Sequence, residues 1–171
     1  MAASDTHTSD QLVDRIEEEI ARAERAQAPL SCLLVDIANL SAIEQTHGER
    51  FAEQTLAYVG LLLRRELRRY DRVGATGKHA YLVVLPGADG PRGEIVARRA
   101  LARLHAVKIE TGDGRRSLPL AVGIATWRAG TDAQELIAQA QTTTGCKAPE
   151  ESYASPPLPS RPLGFKDALW L

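Results

Sequence analysis

The stretch DRVGATGKHAYLVVLPGAD, residues 71–89, contains two short runs of strand character on either side of Gly77, Lys78 and His79. The first run is RVGAT and the second is AYLVVLP, which ends where Pro86 is followed by Gly87. A glycine between two such runs is a hairpin signal, because a tight turn often requires a positive φ. The stretch therefore predicts a β-hairpin, and the elements on both sides of it decide the fold.

The segments around this hairpin alternate between helical and extended patterns. Apolar residues recur at helical spacing over residues 11–28, around Leu40 and Ile43, and over residues 49–69, 91–105 and 132–141. Nearly continuous apolar runs predict strands at PLSCLLVDI, residues 29–37, and at SLPLAVGIATW, residues 117–127. One sheet with helices packed against it satisfies this order. The predicted fold class is α+β, a ferredoxin-like palm with a mostly antiparallel central sheet and flanking helices.

The composition argues against several classes of protein. The chain of 171 residues is 44% hydrophobic and carries a formal net charge of -1, which gives no global attraction to nucleic acid or anionic membranes. No apolar run approaches the roughly 20 residues that span a bilayer, and the first ten residues lack signal-peptide features. Cys32 and Cys146 have no metal-binding spacing. We therefore expect a cytoplasmic protein with reduced thiols, no nucleic-acid partner and no membrane insertion.

The sequence divides into three parts. Residues 1–10 are expected to be a flexible N-terminus, residues 11–145 the folded domain, and residues 146–171 a proline-rich tail. The tail ends in GFKDALWL, whose apolar side chains would be poorly placed free in water. We expect this end to dock, either back onto its own domain or onto a second subunit or partner.

Several segments together resemble the GGDEF domain, the bacterial module that joins two GTP molecules into cyclic di-GMP. LLVDIANLSAIEQTHGERFAEQTL, residues 33–56, resembles the strand and helices written DxDxFKxxND…GHxxGD in that family, and residues 71–89 resemble its signature hairpin. SLPLAVGIATW is similar to the later SxGxA strand, and DAQELIAQAQ to the closing helix. The resemblance extends from about Leu12 to Gln141 and implies the palm-type GGDEF fold.

The resemblance also implies that the catalytic signature is degenerate. The five signature positions are Gly77, Lys78, His79, Ala80 and Tyr81. Here Lys78 replaces the second glycine, His79 the metal-binding acid and Ala80 the glutamate, while Tyr81 keeps the aromatic position. A lysine and histidine pair could itself bind a phosphate or serve acid-base chemistry. The alternative is that His79 is a solvated turn residue without a partner.

The remaining acidic and basic positions of the family pattern are also changed. Its first acid is present as Asp36, the second is Ala38, and the lysine that assists the phosphates is Ser41. One carboxylate is a poor anchor for two magnesium ions, which require hard oxygen ligands. We therefore expect no bound magnesium and no cyclase activity, with Asp36 either a vestigial ligand or a cap on the next helix.

A second motif of the family, the R-x-x-D site for cyclic di-GMP, is present at its expected offset. Arg68, Arg69, Tyr70 and Asp71 are followed by five residues and then by Gly77. Arg68 would offer a planar fork to phosphate and guanine, and Asp71 would accept hydrogen bonds from the guanine edge. The resemblance places a further arginine of this site at Arg99.

Structural explanations of the same residues remain open. Arginines near a helix C-terminus are favoured by the helix dipole, and Arg68 with Asp71 could form no more than a surface ion pair. We therefore carry three hypotheses. The first is an inactive receptor for cyclic di-GMP, bound as an intercalated dimer, that biases contact with a protein partner or a second copy. The second is an interaction module that binds no nucleotide, and the third is a residual GTP-using nucleotide cyclase.

Overall fold

The computed structural model describes residues 4–111 and 114–144, which form five helices and six strands within those ranges. The element order is α1 (Ser4–Ala26), β1 (Leu30–Ile37), α2 (Leu40–His47), α3 (Glu49–Glu66), β2 (Arg72–Thr76), β3 (Ala80–Pro86), α4 (Gly90–Ala106), β4 (Lys108–Thr111), β5 (Gly114–Ser117), β6 (Leu120–Thr126) and α5 (Ala133–Thr142).

The central sheet contains four of these strands in the order β2-β3-β1-β6. Every neighbouring pair is antiparallel: β1 pairs with β3 and β6, and β3 also pairs with β2. Helices connect β1 to β2 and β3 to the later strands, so two split β-α-β units share one sheet. The predicted α+β class and antiparallel sheet are confirmed.

The strand β1 lies in the middle because its residues are apolar on both faces. Leu33, Val35 and Ile37 belong to the core that the sheet forms with α3 and α4, whereas Cys32 and Leu34 belong to the core with α1 and α5. Successive side chains of a strand point to opposite faces, so one continuous apolar run serves two helical layers. Each large apolar side chain buried in this way contributes about 1.5–3 kcal/mol to folding.

The hairpin and the last helix are predicted accurately, but three other boundaries were wrong. The helix α1 begins at Ser4 instead of Gln11, so helical backbone occupies most of the segment expected to be a flexible N-terminus. The helix α3 ends at Glu66 instead of Arg69. The predicted strand 117–127 is interrupted before Leu120, and Ser117 belongs instead to the small hairpin of β4 and β5.

Two further expectations concern the ends of the chain and the membrane. The proline-rich tail 146–171 and its apolar end lie outside the described residues. Over residues 4–111 and 114–144, every helix is too short or too polar to span a bilayer.

Gly123 shows how closely α5 packs on the sheet. A Cβ atom added to this β6 residue would collide with the carbonyl oxygen of Ala140 in α5 and would lie 2.6 Å from Thr144 Oγ1. Backbone cannot move aside as a flexible side chain can. We expect Gly123→Ala to lower the free energy of unfolding by about 1–3 kcal/mol, measured by chemical denaturation.

Gly90→Ala is the matched control, since a Cβ there meets Thr126 Oγ1 at 3.4 Å, an ordinary contact. Equal losses of stability in the two variants would contradict the steric explanation.

Candidate functional site

The signature turn lies at one end of the sheet, where β2 passes into β3. Gly77 has φ of +60°, a left-handed conformation that suits glycine, and Lys78 is exposed. His79 is partly buried, and its Nε2 lies 3.2 Å from the Ser41 hydroxyl, where either atom can donate according to the histidine tautomer. The contact with Ser41 therefore contradicts the alternative in which His79 is a turn residue without a partner.

Asp36 lies beside this turn near the end of β1. It is opposite Ala80 in β3 and opposite Ala121 in β6. Of the two alternatives for Asp36, the cap on the next helix is wrong, because the residue at the N-cap of α2 is Asn39, which makes no capping side-chain bond. Among the residues that the structure describes, no three His, Cys, Asp or Glu side chains are grouped so as to hold a metal ion.

Tyr81, the second residue of β3, has a structural role. Its hydroxyl donates to the Leu56 carbonyl of α3 at 2.9 Å, and a Cβ on Gly60 would collide with that hydroxyl. Burial raises the pKa of Tyr81, although the charge of Arg64 partly offsets this. The aromatic position of the signature thus anchors β3 to α3.

The R-x-x-D residues form the turn that joins α3 to β2. The Arg68 backbone N–H donates to Asp71 Oδ2 at 2.7 Å, and the Asp71 N–H donates to the Arg68 carbonyl at 3.0 Å. A side-chain acceptor three residues ahead is a common way to stabilise such a turn. Asp71 therefore binds the backbone of Arg68. The sequence had suggested an ion pair between the two side chains instead.

Beside this turn is a half-open depression of about 180 Å³ between the turn and α4. All three residues predicted for the ligand site, Arg68, Asp71 and Arg99, line it. Its other lining residues are Leu85, Pro86, Ala88, Arg92, Ile95 and Val96. The sequence did not identify Arg92 as a residue of this site, because it belongs to no motif. Its position two helical turns before Arg99, on the same face of α4, could have indicated it.

The arginines of the depression are held to different degrees. Arg68 Nη1 donates to the Tyr70 hydroxyl at 2.7 Å, and its guanidinium carbon lies 5.8 Å from that ring centre, within cation–π range. Arg99 Nη2 donates to the carbonyl of Glu66, the last residue of α3, at 2.7 Å. Both side chains are exposed, so neither guanidinium is turned into the core.

The electrostatic balance at Asp71 is a competition between burial and positive charge. Burial is the largest effect and raises the pKa of the Asp71 carboxyl above its ordinary value. The Arg68 backbone N–H and the charges of Arg68 and Arg99 lower it in part. The depression thus combines a partly desolvated carboxylate with guanidinium groups, an arrangement suited to a ligand with both N–H donors and phosphate oxygens.

Comparisons with known proteins agree on the fold. The family model described as diguanylate cyclase, GGDEF domain, matches residues 8–148. Diguanylate cyclase DosC of Escherichia coli K12 is 28% identical over 122 residues, which cover 71% of this chain and 26% of DosC. The chain therefore spans about a quarter of the length of this relative.

Two solved structures have the same fold at low sequence identity. Diguanylate cyclase SiaD of Pseudomonas aeruginosa, in complex with its activator SiaC, gives a TM-score of 0.74 at 21% identity, covering 79% of this chain and 52% of SiaD. The GGDEF domain of DgcB from Caulobacter crescentus, in complex with c-di-GMP, gives a TM-score of 0.70 at 14% identity, covering 75% of this chain and 77% of that domain structure.

Proposed function

Since the chain belongs to the GGDEF domain family, we propose that it is a cytoplasmic receptor for cyclic di-GMP that has no cyclase activity. The observation that carries this proposal is the convergence of Arg68, Asp71 and Arg99 on one depression. Ligand binding would then bias contact with a protein partner or with a second copy of the chain. The complex of DgcB with c-di-GMP supports the choice of ligand, and that of SiaD with SiaC supports a protein partner.

The chemistry of the depression matches the two parts of the ligand. Asp71 Oδ2 already accepts the Arg68 N–H, and the carboxylate retains lone pairs for the N1 and N2 donors of guanine. The planar guanidinium of Arg68 can make paired hydrogen bonds to guanine O6 and N7 or to a phosphate. Arg99 adds positive charge from α4 on the opposite side.

The size of the depression supports a ligand that is only partly enclosed. Its volume of about 180 Å³ is below the roughly 300–1,000 Å³ of pockets that bury a whole small molecule. One guanine and its phosphate would enter, and the rest of the ligand would stack outside. An intercalated dimer of cyclic di-GMP provides such external stacking.

The proposed lack of cyclase activity follows from the residues at the signature end of the sheet. In the family reaction, bound magnesium neutralises the phosphates during transfer. Here Asp36 is paired across the sheet with Ala80 and Ala121, and the Ser41 hydroxyl lies within hydrogen-bond distance of His79 Nε2. One carboxylate does not fit a pair of magnesium ions, so we expect neither magnesium binding nor turnover.

The receptor hypothesis is tested by calorimetric titration with cyclic di-GMP. We expect Arg68→Ala to weaken binding about 10- to 100-fold, because a hydrogen bond to a charged group contributes about 1.5–3 kcal/mol. Arg69→Ala is the matched control: it removes the neighbouring exposed arginine of the same turn, which does not line the depression. It should bind like the wild type. Absence of binding by the wild type would instead favour the interaction module.

The pH dependence of binding tests the role of Asp71. Guanine donates to the ionised carboxylate, so affinity should fall as the pH is lowered and Asp71 gains a proton. Because the pKa of Asp71 is raised by burial, the fall should begin at a higher pH than for an ordinary aspartate, which titrates near about 3.9. Titrations at stepwise lower pH measure this.

Asp71→Asn is the control for this pH effect. It keeps an oxygen for the Arg68 N–H, so the turn is preserved, but it should bind weakly at every pH. Wild-type affinity in this variant would contradict the proposed guanine contact.

Loss of cyclase activity is tested by incubating the chain with GTP and magnesium and separating the nucleotides by chromatography. We expect no cyclic di-GMP, because Ala38 and His79 stand where the family pattern has acidic residues, and Asp36 alone is a poor anchor for two magnesium ions. An active GGDEF domain provides the positive control. Cyclic product above the protein-free blank would establish the residual-cyclase hypothesis in place of ours.

A further inference from the structure

We infer that Arg92 is a third arginine of the ligand site and binds a phosphate of the cyclic dinucleotide. This inference rests on the proposed function and adds a residue that lies outside the R-x-x-D motif. Arg92 lines the same depression as Arg68, Asp71 and Arg99, but it comes from the first turn of α4.

The position of Arg92 is fixed by its backbone. The Asp89 side chain caps α4 by accepting the Arg92 N–H at 3.0 Å, and Pro91 occupies the first turn. Because Asp89 already takes this backbone donor, a phosphate would be held by the Arg92 side chain and not by the helix N-terminus. Arg99 follows seven residues later, about 10 Å along the axis on the same helical face. Both side chains therefore extend from the same face of α4, and both line the depression.

Arg92 is also the least engaged of the three guanidinium groups. Its Nη1 lies 3.5 Å from the Gly87 carbonyl, beyond the usual range of about 2.7–3.2 Å for an N–H···O bond. By contrast, Arg68 and Arg99 each make a bond of 2.7 Å to another group of the chain. A ligand must compete with those bonds, whereas it meets almost no competition at Arg92.

The charge of the depression supports the same conclusion. Asp71 is the acidic residue of the lining, and it offsets one of the positive charges. Arg68 and Arg99 alone would leave one net positive charge, whereas Arg92 raises the net charge to two. A cyclic dinucleotide carries one negative charge on each of its two phosphates. Arg92 therefore increases the positive charge that the lining offers to the phosphates of the ligand.

The apolar part of the depression lies next to this arginine. Ile95, one turn after Arg92, is 65% exposed and lines the depression. A large apolar side chain left in water beside two arginines gains when the flat face of a base covers it. Arg92 and Ile95 together would therefore contact the phosphate and the base of the same nucleotide unit.

Calorimetric titration of Arg92→Ala with cyclic di-GMP tests the inference. We expect its affinity to be at least tenfold weaker than that of the wild type. Arg98→Ala is the matched control on the same helix, since Arg98 is exposed, lies 3.6 Å from Glu94 and does not line the depression. This control should bind within twofold of the wild type. Arg92→Lys, which keeps the charge but not the planar fork, should lie between the two.

The outcomes separate this inference from the proposed function. If Arg68→Ala weakens binding but Arg92→Ala binds like the wild type, the receptor stands and the role of Arg92 is overturned. Equal weakening by Arg92→Ala and Arg98→Ala would also overturn it, because the effect would then belong to the general charge of α4. If the wild type binds no cyclic di-GMP, both proposals fall. Circular dichroism of each variant verifies that it is folded, since the cap on α4 uses the backbone of Arg92 and survives the substitution.

Discussion

The turn between α3 and β2 depends on two hydrogen bonds between Arg68 and Asp71. One joins the Arg68 N–H to Asp71 Oδ2 at 2.7 Å, and the other joins the Asp71 N–H to the Arg68 carbonyl at 3.0 Å. They reverse the chain directly after α3, so that β2 enters the sheet beside β3. They also leave the Arg68 side chain at the surface, facing α4. The direction of the signature hairpin and the shape of the depression both follow from this turn.

The sequence predicted accurately those strands and turns whose conformation is determined by neighbouring residues in the chain. The runs RVGAT and AYLVVLP have the bounds of β2 and β3, because strand-forming residues on both sides of a glycine with positive φ are a local property of the hairpin. The burial of β1 was equally evident from its apolar run. Arg68 and Asp71 have a predictable position relative to Gly77, because only the strand β2 lies between them and this glycine. Both residues line the depression.

Features that depend on contacts between segments distant in the sequence could not be predicted in this way. The strands β4 and β5 are short and mostly polar, so their sequences contain no apolar alternation that would predict a hairpin. The bond between Ser41 and His79 joins α2 to the β2–β3 turn, which no spacing in the chain indicates. Arg92 belongs to the depression because α4 passes beside the α3–β2 turn. Asp36 allowed two interpretations, and the start of α2, whose N-cap is Asn39, excludes the cap.

The residues that line the depression differ in whether hydrogen bonds within the fold explain their positions. Asp71 closes a turn, and Arg99 satisfies the Glu66 carbonyl at the end of α3, so packing would explain both without any ligand. Arg68 and Arg92 differ, because the first contacts the exposed Tyr70 side chain and the second makes one long contact to a carbonyl. Exposed pairs of this kind contribute little to stability. Their guanidinium groups nevertheless line the same depression as the partly buried Asp71 carboxylate. A ligand phosphate would supply hydrogen-bond partners that the fold itself leaves open at Arg68 and Arg92, so ligand binding would explain the positions of these two side chains where packing does not.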